Sequence, residues 1–110
     1  MSDGLIYIAQ PYSHEDPAMR EWRYQQALKV AARLMLQGWA VFSPIAHTHP
    51  IERETGKQSH DFWLRQDIAV LRHAAKLVVL MLPGWKESKG VAEEIAVAKA
   101  NKIPIELMAP

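Results

Sequence analysis

The chain predicts an α/β fold: a doubly wound parallel sheet of four to five strands, packed as three α/β/α layers. Three observations lead there. Short apolar runs without polar alternation, such as Leu5 to Ala9 and Leu77 to Leu82, read as strands buried on both faces. Between them lie longer segments whose apolar residues recur at helical spacing. Strands and helices alternate along the chain, and that order implies parallel strands joined by crossover helices.

The elements follow in order. Leu5-Ile6-Tyr7-Ile8-Ala9 is the first strand and ends at Gln10-Pro11-Tyr12-Ser13. A helix is expected from Pro17 to Gln37, with Asp16 as N-cap, Pro17 at the first helical position and Gly38 as the stop. Trp22, Ala27, Val30, Ala31, Leu34 and Met35 are its expected apolar face. Trp39 to Phe42 is a second short strand. Ser43 to Ser59 carries Pro44, His47, His49, Pro50 and Gly56 and reads as a long polar loop. His60 to His73 reads as a helix with Leu64, Ile68, Leu71 and Ala75 on one face. Lys76 to Leu82 is the clearest buried strand. The turn Pro83 to Glu87 leads into a helix ending near Asn101, and Ile103 to Leu107 is the last strand. The expected order, β-α-β-loop-α-β-α-β, makes one domain over residues 1–110. In such sheets ligands bind beyond the carboxyl ends of the strands. Those ends carry Gln10 to Ser13, Ser43 to Pro50 and Pro83 to Gly90, where the unusual polar residues concentrate.

Composition narrows the function classes. Of 110 residues, 49% are hydrophobic and 23% charged, an ordinary globular balance, and the net charge of +1 gives no electrostatic argument for a nucleic acid polymer. There is no cysteine, which excludes disulfides, thiolate metal sites and cysteine nucleophiles. No apolar run approaches the roughly 18 residues of a membrane span, so no membrane partner is expected. Met1 to Gly4 lacks the basic region of a signal peptide, and a cytoplasmic protein is the expectation.

Glu94 is the residue out of place. The core stripe of its helix is Val91, Ile95 and Ala98, at i, i+4 and i+7. At about 100° per residue, Glu94 falls inside that stripe and Glu93 on the far side. A carboxylate on an apolar helix face costs several kcal/mol unless it is neutral, paired or hydrogen-bonded, and such placement is how a carboxylate is tuned for chemistry. Asp67 sits beside the Leu64/Ile68/Leu71 face. It is either a second carboxylate of the site or a solvated partner of Arg65 or Arg72. Paired carboxylates divide nucleophilic and proton-transfer work in sugar-bond cleavage.

Ser88 and Gly90 open the Glu94 helix, where free N–H groups bind anions, although Ser88 also reads as an ordinary N-cap. Tyr7 lies within the first strand, placed either to donate to a carboxylate at the sheet's end or to pack in the core. Tyr12 and Trp85 are candidates for an aromatic wall against a planar base. His47-x-His49, with His60, admits a metal reading, but a third ligand is not specified, and substrate contact is the expectation for His47 and His49.

These residues resemble the nucleoside 2-deoxyribosyltransferase superfamily, which includes the deoxynucleoside 5′-monophosphate N-glycosidases. Three stretches carry the resemblance: Ile6-Tyr7-Ile8-Ala9-Gln10-Pro11-Tyr12; Gln66-Asp67-Ile68 with Leu71 and Ala74-Ala75-Lys76-Leu77-Val78-Val79; and Ser88-x-Gly90-Val91-x-x-Glu94-Ile95. They span nearly the whole chain in the same order. The resemblance implies a flavodoxin-like, Rossmann-like sheet and a homodimer or homotetramer with sites near subunit contacts. It implies Glu94 as nucleophile, Asp67 as the base-contacting aspartate, Tyr7 beside the nucleophile, and Ser88 against sugar or phosphate. With the residues singled out above from their positions, the substrate-binding candidates are Gln10, Pro11, Tyr12, Ser13, His47, His49, Trp85, Ser88 and Gly90. Ser88 stands where the transferases have an aspartate, which is closer to the monophosphate glycosidases. Ser43 to Pro50 and Gly84-Trp85 map onto neither enzyme and suggest a separate branch.

The expected activity is cleavage of the N-glycosidic bond of a nucleoside or nucleoside 5′-monophosphate, by hydrolysis or base transfer, with no cofactor and no metal. Two rivals remain at this level: a non-catalytic nucleotide-binding module on the same fold, and a metal-dependent hydrolase built on the loop histidines.

Overall fold

The computed structural model describes residues 4–110. The expectation that no signal peptide is present falls on Met1 to Asp3 as well as Gly4, and the first three lie outside the described residues. The elements are β1 (Leu5–Ala9), α1 (Pro17–Leu36), β2 (Ala40–Phe42), α2 (Pro44–Thr55), α3 (His60–Leu71), β3 (Lys76–Leu80), α4 (Lys89–Ala100) and β4 (Ile105–Met108). The four strands form one sheet in the order β2-β1-β3-β4, every pair parallel. From β1 the chain passes to β2 on one side, and β3 and β4 then add on the other. The topological switch point is therefore between β1 and β3.

Strand alternation sorts the core into two faces. Ile6, Ile8, Val78 and Leu80 pack with Val30, Ala31 and Leu34 of α1. Tyr7, Ala9, Leu77 and Val79 pack with Leu71 of α3 and Val91 and Ala98 of α4. A slip of one residue in β1 would exchange these sets.

Three expectations are corrected by the structure. The segment from Ser43 to Ser59 is not a long loop: residues 44–55 form α2. Its Pro, His and Gly content reads as loop, yet Ser43-Pro44 is a helix start. The Ser43 hydroxyl accepts from the Ala46 N–H at 3.2 Å, and Pro44 occupies the first turn, where no N–H is needed. Pro50 lies inside the helix and lacks the N–H that would bond back to residue 46. Gly56, at φ +72°, ends it. The element order is thus β-α-β-α-α-β-α-β.

The second correction concerns α1. Trp22 is 43% exposed and Met35 53%, whereas Arg23 is buried with Ala27, Val30, Ala31 and Leu34. Arg23 is in helical phase with that stripe and Trp22 lies about 100° away from it. In α3 only Leu71 of the expected face is buried: Leu64 and Ile68 are half-buried, and Ala75 is exposed beyond the helix end.

Ser43→Ala should destabilise the chain by about 1 kcal/mol, because it removes the cap that starts α2. Urea unfolding of the two proteins measures this, and an unchanged midpoint would mean that α2 does not depend on its cap.

Candidate active site

Beyond the carboxyl ends of β1, β2 and β3 lies a cavity of about 1090 Å³. Gln10, Pro11, Tyr12 and Ser13 line it from the β1 end, His49 from α2, Asp67 from α3, and Ser88, Gly90 and Glu94 from the α4 side. Three sequence candidates do not line it. Tyr7 lies beneath it and reaches it through Glu94. His47 stands against Phe42, with ring centroids 5.5 Å apart. Trp85 packs on the α3/α4 side of the core, with the Lys86 ammonium 5.7 Å from its ring centroid.

The parity of β1 explains the centre of the site. Tyr7 points to the α4 face, has no solvent exposure, and donates its hydroxyl hydrogen to Glu94 Oε2. Glu94 is 5% exposed, as its position on the α4 stripe requires. Burial pushes its carboxyl up to about 8; the Tyr7 hydrogen bond opposes that rise and the Asp67 charge adds to it. Burial likewise pushes Asp67 up to about 7. The Tyr7 phenol is raised well beyond its ordinary value, first by burial and then by the Glu94 charge. Tyr7 is therefore a permanent donor at neutral pH. The pairs expected of Asp67 with Arg65 or Arg72 are not formed, and Asp67 faces the cavity instead.

At the start of α4, Ser88 is the N-cap. Its hydroxyl accepts from the Val91 N–H at 3.2 Å as the N-cap, and the residue also lines the cavity. A Cβ at Gly90 would meet only His60 Cε1 at 3.7 Å and Ser88 Oγ at 3.9 Å, so packing within the protein does not demand glycine there. Glu93 is ion-paired rather than free, 3.2 Å from His60 Nε2 and 3.9 Å from Lys89 Nζ.

Two features escape the sequence reading. Arg23 is buried without a carboxylate partner. It donates to the Ser13 carbonyl at 2.9 Å and the Pro83 carbonyl at 3.3 Å, tying the segments that follow β1 and β3. Gly84, at φ +93°, makes room for it, since a Cβ would lie 3.1 Å from Arg23 Nη2. Gln10 donates to the Arg23 carbonyl at 2.9 Å. Arg23, like Glu94, stands in helical phase with the buried stripe of its own helix. The second feature is a Tyr12–His49–Glu21 chain, with Tyr12 Oη 2.6 Å from His49 Nδ1 and His49 Nε2 3.3 Å from Glu21 Oε1. It joins residues far apart in sequence, and no local pattern announces it. Among the described residues, no group of three or more His, Cys, Asp or Glu side chains is arranged to hold a metal ion. Among the described residues, no helix is long and apolar enough to cross a membrane.

The carboxyls make stability pH-dependent. Both groups bind their protons more tightly in the folded chain than at the ordinary values of 4.5 and 3.8. The stability they contribute is complete below those values and is lost as the pH rises toward about 8. Glu94→Gln cannot ionise, so at about pH 9 it should raise the unfolding free energy over the parent chain on the order of a few kcal/mol, seen as a higher Tm, and lose most of that gain near about pH 4. Equal gains at both pH values would mean that Glu94 is not held neutral by burial.

A family model described as "Domain of unknown function (DUF1937)" matches residues 4–110. No curated protein matches. Among solved structures, a 2-deoxyribosyltransferase from the psychrotolerant bacterium Bacillus psychrosaccharolyticus is similar with a TM-score of 0.61 and 22% identity, over 96% of this chain and 72% of that one. The parallel sheet with its flanking helices is thus the deoxyribosyltransferase-like fold. Since the family model covers the chain from the start of β1 to its last residue, the chain belongs to the DUF1937 family.

Proposed function

We propose that this protein cleaves the N-glycosidic bond of a nucleoside or nucleoside 5′-monophosphate. The observation that carries the reading is Glu94: a buried carboxylate at the floor of a cavity, held by Tyr7, with Asp67 on the same cavity. The similarity of fold to a 2-deoxyribosyltransferase supports the same chemistry.

Glu94 Oε attacks the anomeric carbon as the bond to the base breaks, giving a glycosyl ester. Asp67, whose raised affinity for its proton keeps a large share protonated at neutral pH, donates that proton to the departing base. Tyr7 holds Glu94 in one orientation throughout. Attack on the ester by water completes hydrolysis, and attack by a second base completes transfer. The cavity has room for a nucleoside, and Tyr12 and the α4 N-terminus flank it. The reaction draws on no metal or cofactor.

A homodimer or homotetramer fits the surface. Trp22 and Leu36, 43% and 90% exposed, lie on an outward side of α1 where a second copy would cover them.

Glu94→Gln should lower base release on the order of a thousandfold or more, while Glu93→Gln stays within a few-fold of the parent. The assay is incubation with a panel of nucleosides and their monophosphates, scored for free base. Retained release in Glu94→Gln would remove the nucleophile assignment. The active form needs Glu94 ionised and Asp67 protonated, so kcat/KM should trace a bell with its maximum between about 7 and about 8. A profile that rises monotonically to high pH would contradict an acid role for Asp67.

A further inference from the structure

The Tyr12–His49–Glu21 chain has no task in the cleavage steps, yet its first member lines the cavity. Its groups come from three places: Tyr12 after β1, Glu21 on α1 and His49 on α2. The Glu21 carboxylate is anchored at both oxygens, Oε2 by Gln25 Nε2 at 2.8 Å and Oε1 by His49 Nε2 at 3.3 Å. The Gln25 hydrogen bond, and then that of His49, hold the Glu21 carboxyl below its ordinary value, so it is ionised and only accepts. An acceptor at Nε2 requires the ring hydrogen on Nε2. In the neutral imidazole Nδ1 then carries a lone pair, and Tyr12 must donate to it. Tyr24 stacks on the ring, centroids 4.1 Å apart at 19°, and fixes its plane.

The consequence falls on the ligand. With its hydrogen committed to His49, the Tyr12 oxygen has only lone pairs to offer. It suits a group that brings its own hydrogen, and it repels a phosphate oxygen. The surroundings act in the same direction. Glu52 and Glu21 press on the Tyr12 phenol with negative charge, and Arg20 only partly offsets them, while Arg53 lines the adjoining groove.

We propose that Tyr12, set as a hydrogen-bond acceptor by His49 and Glu21, is a specificity-determining contact for a neutral sugar hydroxyl and disfavours phosphate at that position. His49 and Glu21 are positioning residues. The inference rests on the nucleoside reading of the cavity, and binding can be measured separately from turnover.

The experiment is calorimetric titration of the Glu94→Gln protein, alone and with Tyr12→Phe or His49→Phe added. The probes are 2′-deoxyadenosine, its 3′-deoxy and 5′-deoxy analogues, and its 5′-monophosphate, or the same set on whichever base the panel favours. Glu94→Gln with Tyr12 intact should bind the parent nucleoside about three- to tenfold tighter than one of the two deoxy analogues, and Tyr12→Phe should erase that difference. His49→Phe keeps a ring against Tyr24 but frees the Tyr12 hydrogen to donate. The ratio of monophosphate to nucleoside affinity should then rise by about three- to tenfold. Unfolding temperatures of the variants are measured alongside. An unaltered preference in Tyr12→Phe, or an unaltered ratio in His49→Phe, overturns the proposal. A uniform loss for every probe with lowered Tm also overturns it, since that reduces the chain to a brace between α1 and α2. Failure of the cleavage reading looks different: the parent chain would release no base, while the hydroxyl preference and its loss in Tyr12→Phe would remain.

Discussion

The hydrogen bond between Tyr7 and Glu94 joins the first strand to the last helix, and the arrangement of the site follows from it. A carboxyl with 5% exposure has almost no water to solvate its charge. Left alone it would stay neutral, because burial is the largest influence on it. Among the described residues, the Tyr7 hydroxyl is the side-chain donor that favours the charged form. It does so reliably because the phenol, buried beside a carboxylate, holds its own proton far more tightly than an exposed tyrosine. The pair needs Tyr7 on the α4 face of β1 and Glu94 on the inward stripe of α4. Strand parity meets the first requirement and helical phase the second.

Asp67 completes an electrostatic setting with two raised carboxyls on one cavity. Burial raises both, and the Asp67 charge further disfavours ionisation of Glu94, so near neutral pH the two together retain protons that exposed carboxyls would have lost. Such a setting suits chemistry in which one group gives a proton while the other acts as a nucleophile, the division on which the proposed cleavage relies. The cost is a folded state that becomes less favourable as these groups are forced to ionise.

The cavity stands at the switch point between β1 and β3, where the segments leaving the two strands diverge. Arg23 spans that gap from below through the Ser13 and Pro83 carbonyls. A guanidinium in this role is bound by carbonyl dipoles rather than by a carboxylate, and burial depresses its proton affinity. Next to Ser13, Tyr12 with His49 and Glu21 connects the β1 end to α1 and α2. The segment that leaves β1 is thus held by a cation at Ser13 and by an imidazole and a carboxylate behind Tyr12.

Local order was legible in the residues themselves. The strand cores of β1 and β3, the Asp16-Pro17 start of α1, the Gly38 stop and the inward phase of Glu94 follow from backbone sterics and residue spacing, which act over one or two turns. The same local physics contained the Ser43-Pro44 start of α2 and the inward phase of Arg23. Loop-like composition masked the first, and the preference for placing Trp22 rather than a charge on a core face masked the second. What local spacing does not hold is the meeting of elements. Asp67 reaches the Glu94 cavity because α3 and α4 cover the same face of the sheet, and His49 finds Tyr12 and Glu21 because α2 packs on α1. Tertiary packing also sets Trp85, half-buried, against the α3/α4 side of the core and His47 against Phe42. Hydrogen bonds and charge pairs between distant residues depend on angles and distances set by the whole sheet, so only the tertiary structure decides which polar groups share a cavity and which merely lie near it in sequence.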